Sequence, residues 1–200
     1  MCSSKQGNVG LTKSDALVVV DLQNDFLPGG SLAVSGSDEI IPIMNKYIHL
    51  FHSNDLPIFT TQDWHPPDHC SFKEEGGIWP VHCVAGTMGS LFPEDLKLPD
   101  SAIAILTATN RKKEAYSGFE GTDLNIRLRS ANIKRLFIGG IATDYCVLNT
   151  VRDALKNGYE VMLLIDAIRA VDVSPDDGKR AIAEMVSLGA VTIEHKNIII

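Results

Sequence analysis

The chain has 200 residues, 44% of them hydrophobic, which suits one domain with a sizeable buried core and makes two separate domains unlikely on size alone. Its formal charge of −7, with no basic block longer than Arg111-Lys112-Lys113, argues against a nucleic-acid or anionic-membrane partner and for a small-molecule substrate. No apolar run reaches membrane-spanning length, and the start Met1-Cys2-Ser3-Ser4-Lys5 lacks the apolar core of a signal peptide.

A cytoplasmic protein is therefore expected, with Cys2, Cys70, Cys83 and Cys146 as thiols. These four show no paired C-x-x-C spacing, which removes a four-thiolate zinc site and a disulfide framework. Residues 1–14 are polar and weakly patterned and read as a flexible leader to a single domain covering 1–200. Ala16-Leu17-Val18-Val19-Val20 is a continuous apolar run ending at Asp21, as in a strand covered on both faces of a parallel sheet. After a Pro-Gly-Gly loop, Ile40, Ile41, Met44, Tyr47, Ile48 and Phe51 fall at helical spacing, which predicts a helix over 38–51 with one buried stripe.

Pro57 to Thr61 is a second strand and Ala102 to Leu106 a third, ending at Thr107. Between them, 63–99 is rich in Pro, Gly, His and Trp without periodicity. An irregular stretch of that length is functional or disordered, and its aromatics favour the former, so it is read as a metal- and substrate-binding insert. The alternation resumes with a helix over 122–131, a strand over 135–138, a helix over 144–157 closed by Gly158, and a strand over 160–165. Ser174-Pro175-Asp176-Asp177 starts a helix that runs to Leu188, and a last strand covers 190–194. Six strands with intervening helices predict a three-layer α/β/α sandwich around a six-stranded, mainly parallel sheet of Rossmann-like topology. Its functional residues belong at the strands' carboxyl ends.

Several chemically capable residues fall there. Gly139-Gly140-Ile141-Ala142-Thr143-Asp144-Tyr145-Cys146-Val147 puts Cys146 in the first turn of a helix, where backbone N–H groups and the positive helix end lower a thiol pKa and can hold an oxyanion. The alternative is a small buried cysteine at a strand–helix junction. Asp21 is either a general base for that thiol or a turn-anchoring acid. In Asp63-Trp64-His65 the carboxylate and the imidazole, two apart in an extended segment, point to one side. His82 is the choice for a third metal ligand, with His69 a weaker contender and Cys83 a soft one. Such a set leaves coordination positions open for zinc, iron or manganese, whereas the alternative is a group of solvated loop histidines. Phe26, Trp64, Trp79, Tyr116 and Phe119 either sandwich a flat ring or belong to the core.

Five strings in order, Val20 to Gly30 (VDLQNDFLPGG), Thr61 to Pro66 (TQDWHP), Trp79 to Val84 (WPVHCV), Tyr116 to Phe119 (YSGF) and Gly140 to Val147 (GIATDYCV), together resemble the nicotinamidases (pyrazinamidases). These are isochorismatase-like cysteine hydrolases. The resemblance implies that Cys146 attacks the carboxamide of nicotinamide after passing its proton to Asp21, leaving a thioester that water hydrolyses. It also implies an oxyanion hole of Ala142 and Cys146 backbone N–H groups and a cis Ile141–Ala142 peptide. Asp63, His65 and His82 match the ligands of one divalent metal ion, zinc first, with iron or manganese as alternatives, which binds the pyridine nitrogen. Phe26, Trp79, Tyr116 and Ile141 fall at substrate-binding positions, and pyrazinamide is a second candidate substrate; a homo-oligomer is left open. One position departs. The family's catalytic lysine, nine residues before the Tyr-Ser pair, is here Thr107. Loss of that electrostatic stabiliser implies roughly 10²–10³-fold lower turnover. A catalytically silent nicotinamide-binding homologue and a metal-water amidohydrolase of a related amide stand as alternatives.

Overall fold

The apolar run from Ala16 to Val20 is fully buried, and its two sets of alternating side chains enter two different cores. A computed structural model describes residues 8–199 and resolves why. The strands in chain order are β1 (Val9–Gly10), β2 (Asp15–Val20), β3 (Ile58–Asp63), β4 (Ile103–Thr107), β5 (Arg135–Ile141), β6 (Glu160–Arg169), β7 (Val191–Ile193) and β8 (Ile198–Ile199). Four helices accompany them: α1 (Ile41–Ser53), α2 (Leu124–Ser130), α3 (Leu148–Lys156) and α4 (Asp177–Ser187). Six strands form one sheet in the order β4-β3-β2-β5-β6-β7, every neighbouring pair parallel. Ala16, Val18 and Val20 share a core with Leu124 and Leu128 of α2, Val151 of α3, and Ala181 and Met185 of α4. Leu17 and Val19 instead pack with Met44, Tyr47 and Phe51 of α1. This is the expected three-layer α/β/α sandwich.

Several boundaries differ from the sequence reading. The helix expected over 38–51 opens as a 3₁₀ turn, Asp38–Ile40, before α1 begins with Pro42 in its first turn. At the start of α4, the Asp177 carboxylate accepts the Ser174 N–H at 2.7 Å and Asp176 takes a left-handed φ of 66°. The helix therefore begins at Asp177 rather than beside Ser174. The leader expected over 1–14 needs correction from residue 9 onward, because Val9 and Gly10 pair in parallel with Ile198 and Ile199; residues 1–7, Cys2 among them, lie outside the described residues. Cys70, Cys83 and Cys146 are free thiols. Among the described residues no helix is long and apolar enough to cross a membrane.

Strand ends set the site. β5 runs on to Ile141, and Gly140 lies opposite Val20 of β2. Gly140 has φ 129°, and a Cβ there would stand 2.0 Å from the Val20 carbonyl oxygen, so only glycine lets the ends of β2 and β5 come this close. That approach brings the residue after β2, Asp21, to the turn that carries Cys146.

Candidate active site

Asp21 follows β2 with a left-handed φ of 46°, a conformation that a short polar side chain tolerates and that turns its carboxylate out of the strand. The Thr61 hydroxyl donates to Asp21 Oδ1 at 2.6 Å, and the Cys146 thiol donates to the same carboxylate. The acid oxygens of Asp21 and Asp63 and the sulfur of Cys146 all lie within 4.8 Å of one another. Burial first, and the Asp63 charge second, push the Asp21 carboxyl up to about 8 against the opposing hydrogen bonds from Thr61 and Cys146.

Cys146 itself corrects two expectations. Its turn, Thr143–Val147, is a π-helical turn that precedes α3, not the first turn of an α-helix. Burial, together with the Asp21 and Asp63 charges, holds its thiol well above the ordinary range, whereas the helix end alone predicts a lowered one. The resting sulfur is thus a thiol hydrogen-bonded to a carboxyl group, and ionisation must be coupled to proton transfer onto Asp21. The Ile141–Ala142 peptide is cis, and Ala142 lines the cavity beside Cys146.

Next to this pair, Asp63, His65 and His82 direct their ligand atoms to within 4.8 Å of one another. Asp63 Oδ2 stands 3.4 Å from His65 Nε2 and 3.9 Å from His82 Nε2. Burial raises the Asp63 carboxyl, but the two imidazoles outweigh it and hold the group below the ordinary carboxylate range. His82 Nδ1 lies 2.8 Å from the Pro80 carbonyl oxygen; that contact places the proton on Nδ1 and turns the Nε2 lone pair toward Asp63. Neither ring nitrogen of His65 has an aligned hydrogen-bond partner although both are buried. Buried polar atoms without a partner are uncommon, and a cation between Asp63, His65 and His82 satisfies one of them. The donor set therefore fits a divalent metal ion.

The two weaker contenders drop out. His69 has both ring nitrogens engaged, Nδ1 with Ser71 Oγ at 2.8 Å and Nε2 with the Lys113 carbonyl at 3.2 Å. Cys83 Sγ sits in the α1-side core, 3.9 Å from the Gly89 carbonyl.

Cys146 and the group Asp63, His65 and His82 open on one hollow whose walls include Phe26, Trp79, Tyr116 and Tyr145, and Asp21 lies behind Cys146. Trp79 Nε1 donates to Tyr116 Oη at 2.9 Å, and the Tyr145 ring meets Trp79 edge-on at 5.0 Å, so the aromatic wall is braced. Phe26 packs against His82 at 5.7 Å. Ile141, expected at the substrate, is 1% exposed and enters the α1-side core because it continues the strand alternation; it does not line the hollow. Phe119 packs with Tyr159 at 6.1 Å and belongs to the core on the α2 side, and Trp64 does not line the hollow.

Sequence reasoning missed Thr61, Glu114, Tyr145, Leu32 and Val171. Thr61 and Glu114 stand two residues before Asp63 and Tyr116, so same-side spacing could have marked these two, while Tyr145 is signalled only by adjoining Cys146. Leu32 and Val171 come from separate loops and carry no local signal. Among the described residues, no lysine or arginine lines the hollow. Thr107 is buried at the end of β4; of the cations that follow it in sequence, Arg111 pairs with Asp68 at 3.2 Å and Lys113 with Glu120 at 3.0 Å.

A parallel α/β sandwich that brings a thiol and a carboxyl group together at the carboxyl ends of its central strands has the residue types that cysteine hydrolysis uses. More narrowly, the chain belongs to the isochorismatase family, whose Isochorismatase domain matches residues 15–197. The nicotinamidase of Escherichia coli is 36% identical over 196 residues, covering 88% of this chain and 92% of the relative. The crystal structure of the Pyrococcus horikoshii pyrazinamidase in complex with zinc superposes with a TM-score of 0.87 at 50% identity, covering 90% of this chain and 99% of that one. An L. infantum protein solved in complex with nicotinate gives 0.86 at 33% identity, covering 96% and 98%.

Proposed function

We propose that this chain is a nicotinamidase, hydrolysing nicotinamide to nicotinic acid and ammonia with Cys146 as the nucleophile and Asp21 as its base. One observation carries the reading: Cys146, with Asp21 behind it, and the group Asp63, His65 and His82 meet at a single hollow walled by aromatic rings. Cys146 passes its proton to Asp21 as sulfur bonds to the carboxamide carbon. The resulting oxyanion is held by the Ala142 and Cys146 N–H groups. The C–N bond then breaks, the proton leaves Asp21 with the departing ammonia, and a thioester remains. Water, losing a proton to Asp21, attacks that thioester; nicotinic acid departs and the thiol is restored.

Asp63, His65 and His82 would hold one divalent ion, which supplies a Lewis-acid contact for the ring nitrogen. Two imidazoles and a carboxylate suit zinc, with iron or manganese as alternatives, and the zinc complex of the P. horikoshii relative supports taking zinc first. Phe26, Trp79 and Tyr116 orient the flat ring. Pyrazinamide, of the same shape with a second ring nitrogen, enters the same hollow. The reaction returns nicotinamide toward NAD, and a cytoplasmic setting keeps the thiol reduced.

The test is ammonia release from nicotinamide by the full chain loaded with zinc. Tight nicotinamide binding with no ammonia released defeats the hydrolytic reading and leaves the silent binding homologue, the reading that Thr107 at the family's lysine position keeps in play.

A pH dependence follows from Asp21. Only the ionised carboxylate accepts the thiol proton, and burial and Asp63 put that ionisation at about 8 in the metal-free chain. Burial, the larger cause, persists when an ion neutralises Asp63, so activity of the zinc-loaded chain is expected to climb with pH above the ordinary carboxylate range. The pH profile of kcat/KM measures it; a profile already flat from about pH 6 upward contradicts a base held in this environment.

A further inference from the structure

We infer that Thr107 is a positioning residue for the metal ligand Asp63, so that the position the family gives to a lysine serves the grip on the metal in this chain. β3 and β4 pair with Asp63 directly opposite Thr107, which places both side chains on one face of neighbouring strands. Both residues are buried. Thr107 Oγ1 donates to Asp63 Oδ1 at 3.1 Å, while the other oxygen, Oδ2, is the one that faces His65 Nε2 and His82 Nε2. The carboxylate is thus divided: one oxygen is tied to the hydroxyl and the other is presented between two imidazoles.

The backbone around Asp63 is fixed independently. Its N–H donates to Gln23 Oε1 at 2.8 Å, Gln23 Nε2 donates back to the Asp63 carbonyl at 2.8 Å, and the Trp64 N–H donates to the Thr107 carbonyl at 3.1 Å. What remains free is the rotation of the carboxylate, and the stiff β-branched Thr107 side chain supplies the hydroxyl that stops it. A neutral donor orients the oxygen without cancelling its charge, as an ammonium beside it would, so Asp63 keeps its full attraction for a divalent cation. Loss of such an outer contact to a ligating side chain typically lowers metal affinity by about 10–100-fold.

This inference rests on Asp63, His65 and His82 holding a metal, and the experiment separates the two. Zinc is titrated against a competing chelator into the metal-free full chain and its Thr107→Val, Thr107→Ala, Thr107→Ser and His65→Ala variants, with cobalt spectra of each. Thr107→Val and Thr107→Ala are expected to bind zinc about tenfold or more weakly and to shift the cobalt absorption bands, while Thr107→Ser stays within about threefold of the parent. Equal affinity and equal spectra in the parent, Thr107→Val and Thr107→Ala overturn the role of Thr107. If the parent binds zinc no better than His65→Ala, the metal reading itself fails.

Discussion

Thr107→Lys is expected to raise nicotinamide turnover by roughly 10²–10³-fold at saturating zinc, the usual worth of one well-placed electrostatic stabiliser. The parent site gathers the Asp21 and Asp63 carboxyls and the Cys146 sulfur within 4.8 Å. Even with an ion on Asp63, the ionised Asp21 stands beside the sulfur with no lysine or arginine among the described lining residues to offset it. An ammonium at the end of β4 opposes that charge. The same substitution has a second signature, which a mere gain in protein quality does not produce. A cation beside Asp21 favours its ionised form, so the acid limb of the pH profile moves to lower pH than in the parent. Saturating zinc is needed because the variant also lacks the hydroxyl that holds Asp63 Oδ1. Steady-state ammonia release across pH checks both effects; unchanged turnover with an unchanged limb means that position 107 does not govern the thiol's chemistry.

Cys146→Ala is expected to lower turnover by about 10⁴-fold or more while leaving nicotinamide affinity within a few-fold, because the loss of a nucleophile removes the covalent route entirely. In the proposed pose the ring rests on Phe26, Trp79 and Tyr116, which line the hollow independently of the sulfur. Isothermal titration gives the affinity, and ammonia release, in both the parent and the Thr107→Lys background, gives the rate. A variant that retains turnover, and loses it only on chelation, places the chemistry on a metal-bound water instead.

The fold was legible because its strands are short apolar runs with both faces covered. Ala16 to Val20 could be read as a central parallel strand without knowing what lay on either side. Asp63 and His65 were legible for a local reason, the two-residue repeat of an extended segment, and they do meet. Long-range consequences were not. Pairing of Val9–Gly10 with Ile198–Ile199 joins the two ends of the described chain and leaves no mark on either segment. The elevated Cys146 thiol reflects burial and two carboxylates from other strands, and these outweigh the helix end that the local string advertises. Ile141 illustrates the same limit: it stands in the most telling string of the sequence, yet strand alternation turns it into the core. Thr107 looked from sequence like a bare loss of charge, whereas its hydrogen bond to Asp63 depends on a strand register visible only in the fold.

A crystal structure of the zinc-loaded Cys146→Ala chain soaked with nicotinamide tests the shared hollow most directly. The account predicts one ion bound by Asp63, His65 and His82 and touching the pyridine nitrogen, the ring between Phe26, Trp79 and Tyr116, and the carboxamide carbon facing residue 146. Nicotinamide seated elsewhere, or an ion held by other residues, contradicts it.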